Sequence, residues 1–210
     1  MKLLRETIRN LIRESQDSCG NLNDVLQGAI NQMVKHDLEI VTYNAGSKMQ
    51  IVLRRVGTVG SDKVGILKAT TDPWTLEGEC WGGFMVVWAT VAPSMRGTGL
   101  GALLYDVALE LAEANGLMAD RTSVTKEAWR NWSYFSKSND YRKKPLDNID
   151  GDYTPDEAND DCASGSHYEH GGDEDNFQSH PLNQVVVKKD QSKPTHECLG
   201  RMGRIKVKGA

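Results

Sequence analysis

The feature that most constrains the fold of this chain is a predicted strand, a glycine-rich loop and a helix in direct succession. Residues Phe84–Val91 form a nearly continuous apolar run, which predicts a strand buried on both faces. The loop at residues 96–101 follows with the pattern Arg-Gly-x-Gly-x-Gly, and an amphipathic helix opens on its last residues. One apolar stripe marks the helix, formed by Leu100, Leu103, Leu104, Val107, Ala108, Leu111 and Ala112.

A loop of this kind predicts a site for a phosphate or pyrophosphate. Glycines let the backbone turn tightly with its amides pointing inward, and the N-terminus of the helix adds a favourable dipole for an anion. Arg96 places a positive charge at the rim. The simpler alternative is that the glycines only shape a tight turn and cap the helix. The glycine pattern by itself does not decide between the two.

Two other classes of nucleotide site fit the loop less well. A Walker-type loop needs Gly-Lys-Ser/Thr at the start of the helix, and this chain has none there. A dinucleotide site is a closer rival, because Gly97, Gly99 and Ala102 match G-x-G-x-x-A and Asp120 lies at a suitable distance for a ribose-binding acid. In that fold, however, the strand runs almost directly into the first glycine, whereas residues 92–96 intervene here. Only one β-α-β unit is predicted, and antiparallel strands precede it.

The rest of the chain predicts further helices and strands around this unit. Residues 147–181 lack periodicity and are predicted to form a long acidic loop or a disordered segment. The other predicted elements are helices at 2–15, from Val25 to about His36 and at about 125–137, and strands at 38–43, 49–56, 63–69, 117–120 and 184–189.

Composition predicts a soluble, mildly acidic globular protein. Hydrophobic residues make up 39% of the chain and charged residues 26%, and the net charge is −4, so we expect no nucleic-acid partner. Charge is unevenly distributed. Residues 147–176 hold eleven Asp or Glu and no Lys or Arg, whereas residues 184–210 hold seven Lys or Arg against two acids. Opposite patches of this kind can meet within or between chains.

Sequence features also predict a cytoplasmic protein that does not enter a membrane. The longest apolar run is far shorter than the roughly twenty residues of a membrane-spanning helix. The N-terminus alternates charged and apolar residues, unlike a secretory signal. The four cysteines are too few and too scattered to predict a disulfide framework, so a reducing compartment is the simpler expectation.

The stretch around the glycine loop resembles the central motif of the GNAT superfamily of N-acetyltransferases. The family pattern is Gln/Arg-x-x-Gly-x-Gly/Ala, which Arg96, Gly99 and Gly101 match position by position. The resemblance covers about residues 35–140. It implies an α+β, or mixed α/β, fold in which helices flank a central, mostly antiparallel sheet. The chain then divides into N-terminal amphipathic helices at 1–34, a GNAT-like acyltransferase core at 35–146, and an acidic loop with a basic C-terminal tail at 147–210.

The same resemblance implies that acetyl-CoA is the cosubstrate and that an amine is the acceptor. In the family, the loop amides bind the CoA pyrophosphate, and the backbone at the end of the preceding strand pairs with the pantetheine arm. By this resemblance, the residues expected to bind the cofactor are Val91, Arg96, Gly97, Thr98, Gly99, Leu100 and Gly101.

The resemblance is weaker for the catalytic residues. Acetyl transfer needs a deprotonated amine, a polarised thioester carbonyl and a proton for the leaving thiolate. Many family members supply that proton from a Tyr four residues after an Ala on the last core helix. Trp132 holds this position here and cannot donate a proton to a thiolate, although it can pack against pantetheine. Tyr134 is the candidate acid, with a partly buried core aromatic as the alternative, and Glu79 is the candidate on the acceptor side, with a solvated loop acid as the alternative.

A second resemblance concerns origin. The segments around residues 120–125, 132–135 and 143–147, with an acidic tail, look like GNAT-type proteins of tailed bacteriophages, which implies the host cytoplasm or the virion as location.

The two resemblances together imply two alternative functions. One is acetyl transfer to an amine of a protein or small molecule, which the intact loop favours. The other is a structural or assembly role among neighbouring virion subunits on a catalytically degenerate fold, which Trp132 favours.

Soft metal ligands occur in the acidic segment without a spacing typical of a metal site. Cys162, His167 and His170 give C-x4-H-x2-H, which matches no zinc pattern. We therefore expect solvated loop histidines and no metal.

Overall fold

A mixed eight-stranded sheet organises the part of the chain that the computed structural model describes, namely residue 19 and residues 22–58, 62–71, 80–148, 168–172, 179–190 and 193–209. The strands are β1 (Leu38–Asn44), β2 (Lys48–Arg55), β3 (Lys63–Thr70), β4 (Cys80–Trp81), β5 (Phe84–Val91), β6 (Leu117–Met118), β7 (Tyr141–Pro145), β8 (Asp147–Asn148), β9 (Gln184–Lys188) and β10 (Ile205–Gly209). The α-helices are α1 (Asp24–Lys35), α2 (Leu100–Ala112), α3 (Lys126–Lys137) and α4 (Pro194–Arg201).

Strand order in the sheet is β10-β1-β2-β3-β5-β6-β9-β7, and β4 and β8 form a separate pair. The strands β1, β2, β3 and β5 are antiparallel in succession, whereas β10 lies parallel to β1 and β6 lies parallel to β5. The mixed α+β class and the antiparallel strands before the glycine loop are therefore confirmed. The predicted helix at 2–15 and most of the predicted acidic loop lie outside the described residues.

Helices cover one face of the sheet and close the core. The inward face of α1 consists of Leu26, Ala29, Ile30 and Met33, all of them buried. Side-chain oxygens cap the first turns of two helices: Asn23 accepts from Leu26 N at 3.1 Å, and Thr125 accepts from Ala128 N at 3.2 Å. Among the described helices, none is long and apolar enough to cross a membrane.

The C-terminal segment is built into the sheet, where the sequence predicts a tail with a single late strand. Strand β9 lies between β6 and β7, and β10 forms the opposite edge beside β1. Strand β7 (YRKKP) has no apolar alternation, and β10 (IKVKG) alternates over only four residues, with Val207 71% exposed. Each strand is stabilised by its sheet partner rather than by its own pattern, which explains why sequence periodicity misses both.

A buried ion network joins α2 to this C-terminal segment. Lys188 Nζ on β9 lies 2.7 Å from Asp106 and 2.5 Å from Glu110, both on α2. Glu110 also accepts from the backbone amides of Thr195 and His196 at 2.8 Å each, and so caps the start of α4. The buried carboxylate of Glu110 therefore both pairs with the charge of Lys188 and accepts hydrogen bonds from the N-terminus of α4.

The network sets opposite pKa shifts on its two acids. Burial raises the pKa of Asp106 even though Lys188 opposes this. Burial would also raise the pKa of Glu110, but the hydrogen bond from His196 and the charge of Lys188 hold that pKa at about 2. Glu110 therefore stabilises the fold in its ionised form.

A disulfide joins Cys19 to Cys198, with their Cα atoms 5.2 Å apart. Both residues are buried, and Cys198 lies on α4. The expectation from sequence that the cysteines stay reduced is wrong for this pair. Its partners are 179 residues apart in the chain, and only the tertiary fold brings them together.

Lowering the pH should destabilise the protein through Glu110. Its folded-state pKa of about 2 lies below the ordinary value of 4.5. The stabilisation is therefore fully present above about pH 4.5 and is lost as the pH falls toward 2. Because the pKa of Asp106 shifts the opposite way, the effect is measured as a difference: urea denaturation at a series of pH values should show the wild type losing about 3 kcal/mol in the free energy of unfolding relative to Glu110→Gln over this range. Glu110→Gln should be less stable at pH 7 and flatten this part of the profile.

Glu113→Gln, which breaks an exposed pair with Lys193, is the control and should change the profile little. Equal effects of the two variants would contradict the assignment.

Removing the disulfide should lower the free energy of unfolding by about 2–5 kcal/mol, because the bond closes a very long loop in the unfolded chain. The Cys19→Ser/Cys198→Ser variant should unfold at the same urea concentration with and without a dithiol reductant, whereas the wild type should become less stable when reduced. Mass spectrometric mapping of the non-reduced protein provides the direct check. Recovery of both cysteines as free thiols would contradict the pairing.

Candidate functional site

Strand β5 leaves one of its edges open. It pairs with β3 along residues 85–91, but its contact with β6 is limited to Phe84↔Leu117 and Met85↔Met118. Within the described chain, no strand pairs with residues 86–91 on the β6 side. Apart from the carbonyl of Val91, which accepts from Arg96 Nε, the backbone groups of this stretch have no described strand partner on that side, and an edge of this kind can pair with an extended ligand, as in other recognition by strand addition.

A β-bulge marks the point where β5 turns away from β6. The register with β3 shifts between Lys68 and Ala69, so that Val87 is an extra residue on β5. Bulges bend a strand and increase its twist. Residues Phe84, Met85 and Val86 are buried, whereas Trp88, Ala89 and Thr90 are exposed. The predicted burial of this strand on both faces is thus wrong for its second half, because the neighbouring strand ends there.

The glycine loop follows this open edge directly. After the short 3₁₀ turn Pro93–Met95, Gly97 and Gly99 both have positive φ, at 76° and 83°. The first helical amides of α2 belong to Leu100 and the two residues after it, and the residues four positions before them lie in the loop, outside the helix, so that the helix supplies these amides with no acceptor. A helix N-terminus with unused amides at the end of a glycine turn is a favourable place for a phosphate group.

Two side chains fix the loop and add positive charge. Arg96 Nε donates to the carbonyl of Val91 at 3.2 Å, so the exposed guanidinium lies between the end of β5 and the loop. Thr98 Oγ1 donates to the carbonyl of Met95 at 2.6 Å and closes the turn. The predicted residues of the loop are therefore brought together at the open end of β5.

The two glycines of the loop motif, Gly99 and Gly101, have different physical roles. A Cβ on Gly99 would lie 3.2 Å from Ala29 Cβ and 3.3 Å from Val25 O, so α1 packs against the loop from behind. A Cβ on Gly101 would meet nothing nearer than Asn131 Nδ2, at 3.8 Å. Gly99 is required by both its backbone angle and its packing, whereas Gly101 has room for alanine.

Tyr134 is half-buried beside the N-terminus of α1. Its ring packs against Phe135 and Tyr141, and its hydroxyl shares a hydrogen bond with Asn23. Burial raises the pKa of Tyr134, and the nearby charges of Asp140 and Asp106 raise it further. The phenol is therefore protonated at neutral pH, as a proton donor must be. None of these contacts is with the loop, and its role as the acid stays a prediction. Glu79 lies outside the described residues.

Trp132, at the position where the family pattern places a tyrosine, is a core residue. Only 1% of it is exposed, and its ring packs edge-on against Tyr105 at 5.4 Å between centroids. Tyr105 and Phe135 both pack against the Trp132 ring, and packing of this ring against pantetheine stays a prediction.

Two histidines expected to be solvated are instead stacked on a tryptophan. Trp129 lies between His170 and His180, with ring centroids 5.0 Å and 5.1 Å apart and nearly parallel planes. His180 is buried, and His170 Nε2 lies 2.9 Å from the carbonyl of Val124. These rings hold two segments of the chain against α3. In the described ranges, no three His, Cys, Asp or Glu side chains are placed to hold a metal; Cys162 and His167 lie outside those ranges.

Substituting the two glycines should separate their roles. Gly99→Ala should lower the free energy of unfolding by about 1–3 kcal/mol, because alanine is strained at this φ and meets α1. Gly101→Ala is the matched control and should leave stability unchanged or raise it by up to about 1 kcal/mol. Urea denaturation followed by circular dichroism measures both. A similar loss for the two variants would show that α1 does not constrain the loop.

Comparison with known proteins adds no family assignment. No protein-family model matches the chain, and a search of curated proteins returns no match. The geometry of β5, the loop and α2, together with the motif in the sequence, is therefore what indicates a function for this chain.

Proposed function

We propose that the protein binds acetyl-CoA along the open edge of β5 and the glycine loop, and transfers the acetyl group to an amine. The observation that carries this proposal is the continuity of two features. An unpaired strand edge at residues 86–91 leads without interruption to Arg96 and the free amides at the start of α2. A ligand with an extended amide-bearing arm and a pyrophosphate matches this combination. A turn that only caps a helix would need neither the unpaired strand edge nor Arg96.

Each part of the site has a distinct task in this proposal. The backbone of residues 86–91 pairs with the amides of the pantetheine arm, and the amides of residues 97–101 bind the pyrophosphate. Arg96 neutralises part of the pyrophosphate charge. The arm then runs from the loop toward the point where β5 and β6 separate. The glycine loop and the open edge of β5 together support a GNAT-like fold for the core.

The reaction is direct attack of the amine nitrogen on the thioester carbonyl in a ternary complex. The new C–N bond forms as the C–S bond breaks, the amine loses a proton to a base, and the leaving thiolate takes one up. Tyr134 is the proposed proton donor, since burial keeps its phenol protonated. Glu79 is the proposed base on the acceptor side, where its carboxylate receives the amine proton.

A second candidate is a structural role in a phage virion, in which the same fold serves as a scaffold among neighbouring subunits. The observation that favours it is Trp132, which fills the usual position of the acid and is enclosed in the core. Under this alternative, acetyl-CoA binding is retained without turnover or is absent. The phage relationship, and with it the host cytoplasm or virion as location, rests on sequence resemblance.

Gly97 offers a test with a matched control. Its φ is positive, which Asn and Asp tolerate better than other residues, and a Cβ there has nothing within 4 Å. Gly97→Asp places a negative charge beside the proposed pyrophosphate, whereas Gly97→Asn has the same shape without the charge. Isothermal titration with acetyl-CoA should show binding to the wild type and to Gly97→Asn, and affinity at least about tenfold weaker for Gly97→Asp.

Release of the free thiol of CoA in the presence of an amine panel then separates the two functions. Turnover with any amine supports the enzyme, and binding with no turnover across the panel supports the scaffold. Absence of binding to the wild type, or equal binding by the Asp and Asn variants, would overturn the proposed CoA site.

A further inference from the structure

A row of basic and aromatic side chains crosses the face of the sheet opposite the helices. The strand registers pair Lys208 with Tyr43, Tyr43 with Gln50, Gln50 with Lys68, and Lys68 with Trp88. Directly paired residues of neighbouring strands point to the same face. These five side chains therefore form one line across β10, β1, β2, β3 and β5, and we name it the cross-strand row.

The row presents both charge and an apolar surface to solvent. Trp88 is 60% exposed although it lies on an inner strand of the sheet. Lys68 and Lys208 are exposed, and Lys208 Nζ lies 5.7 Å from the centre of the half-buried Tyr43 ring. In the described part of the chain, neither lysine has an acidic partner. By contrast, the neighbouring Lys206 is paired with Glu39 at 2.7 Å.

The row ends at the proposed acetyl-transfer site. Trp88 lies inside the open stretch of β5 at residues 86–91, three positions before Val91. Its side chain points away from the helix-covered core, because its partner Lys68 is exposed while the adjacent Leu67 and Ala69 are buried. The pyrophosphate loop is backed by α1 on the helix-covered side. The row therefore reaches β5 on the sheet face opposite α1, where Lys68 and Trp88 are exposed, although Val41 and Val52 of the same face are buried.

The spacing of the charges fits an extended polypeptide. Lys68 and Lys208 are separated by three strand spacings, or roughly 14 Å. An extended chain advances about 3.3 Å per residue, so carboxylates four residues apart span nearly the same distance. Trp88 and Tyr43 supply flat apolar surface between and beyond the two charges.

We propose that the cross-strand row holds an acidic polypeptide and thereby presents an amine of that polypeptide to the open edge of β5 at residues 86–91. This acceptor assignment rests on the proposed acetyltransferase function. Positive charge along the row disfavours polycationic acceptors such as polyamines, which would have to approach two lysines without acidic partners. A single-stranded nucleic acid is less well matched, because the two lysines do not form the continuous basic groove that tracks a phosphate backbone.

Peptide binding tests the row without relying on catalysis. The probe is a fluorescent peptide with one lysine and carboxylates four residues apart, and its control replaces Asp and Glu by Asn and Gln. Fluorescence anisotropy should show the acidic peptide binding about tenfold more tightly than the neutral one. Lys68→Glu/Lys208→Glu should abolish this preference, and Trp88→Ala should weaken binding of the acidic peptide about fivefold. Lys35→Glu/Lys137→Glu, an equal change of charge at exposed positions of α1 and α3, should leave binding unchanged within about twofold.

Kinetics with the same peptides tests the acceptor role. At saturating acetyl-CoA, thiol release should show the preference for the acidic peptide in KM, with kcat changed little by Lys68→Glu/Lys208→Glu. Raising the ionic strength from about 0.1 M to about 1 M should remove the preference, because the screening length falls from about 10 Å to about 3 Å. Spermidine should be a poorer acceptor than either peptide.

The outcomes separate the acceptor proposal from the proposed function. If acetyl-CoA binds and is turned over equally well with the acidic peptide, the neutral peptide and spermidine, the acceptor proposal is overturned and the enzyme stands. If the peptides show no preference in anisotropy, or if an oligothymidylate displaces the acidic peptide at lower concentration than unlabelled peptide does, the row does not hold an acidic polypeptide. If the acidic peptide binds through the row but acetyl-CoA does not bind, the proposed function fails, and with it the role of the peptide as acceptor.

Discussion

The buried contact of Lys188 with Asp106 and Glu110 is the interaction on which much of the structure depends. It brings together three separate parts of the chain, namely the helix after the glycine loop, the late strand β9 and the start of α4. A buried charge without its partners is costly, so each member of the network requires the others to be in place. Tyr141 and Thr195 also donate to Asp106, at 3.0 Å and 2.6 Å, and extend the network to β7 and α4. The C-terminal region is thereby an integral part of the core.

This network also fixes the helix that carries the candidate site. At its N-terminus, α2 is held through Gly99 against α1, and one to three turns later it is held through Asp106 and Glu110. The amides at its first turn are consequently set in position before any ligand arrives. Preorganised donors of this kind lose little conformational freedom on binding an anion. The open edge of β5, by contrast, arises from a bulge and from the early end of β6.

Sequence reasoning predicted the elements whose patterns are local. Strand β5 and helix α2 have the predicted bounds, because a long apolar run and a helical stripe each show in consecutive residues. It failed where a residue's state depends on distant partners. Trp88 is exposed because its side chain lies on the sheet face opposite the helices, Trp132 is enclosed by Tyr105 from another helix, and Cys19 meets its partner only through the tertiary fold. The cross-strand row was equally hidden, since its members come from five strands and adjoin only in the sheet register.

Strand β10 has a consequence for how the chain reaches this fold during synthesis. Its partner β1 begins at Leu38, whereas β10 ends at Gly209, so the sheet lacks this edge strand until β10 itself has left the ribosome. Until then, the unpaired edge of β1 and the thiol of Cys19 are both without their native partners. Long-range pairings of this kind form late and leave strand edges exposed in intermediates. A nascent chain that stalls before β10 is therefore at its most vulnerable to pairing with another copy along β1.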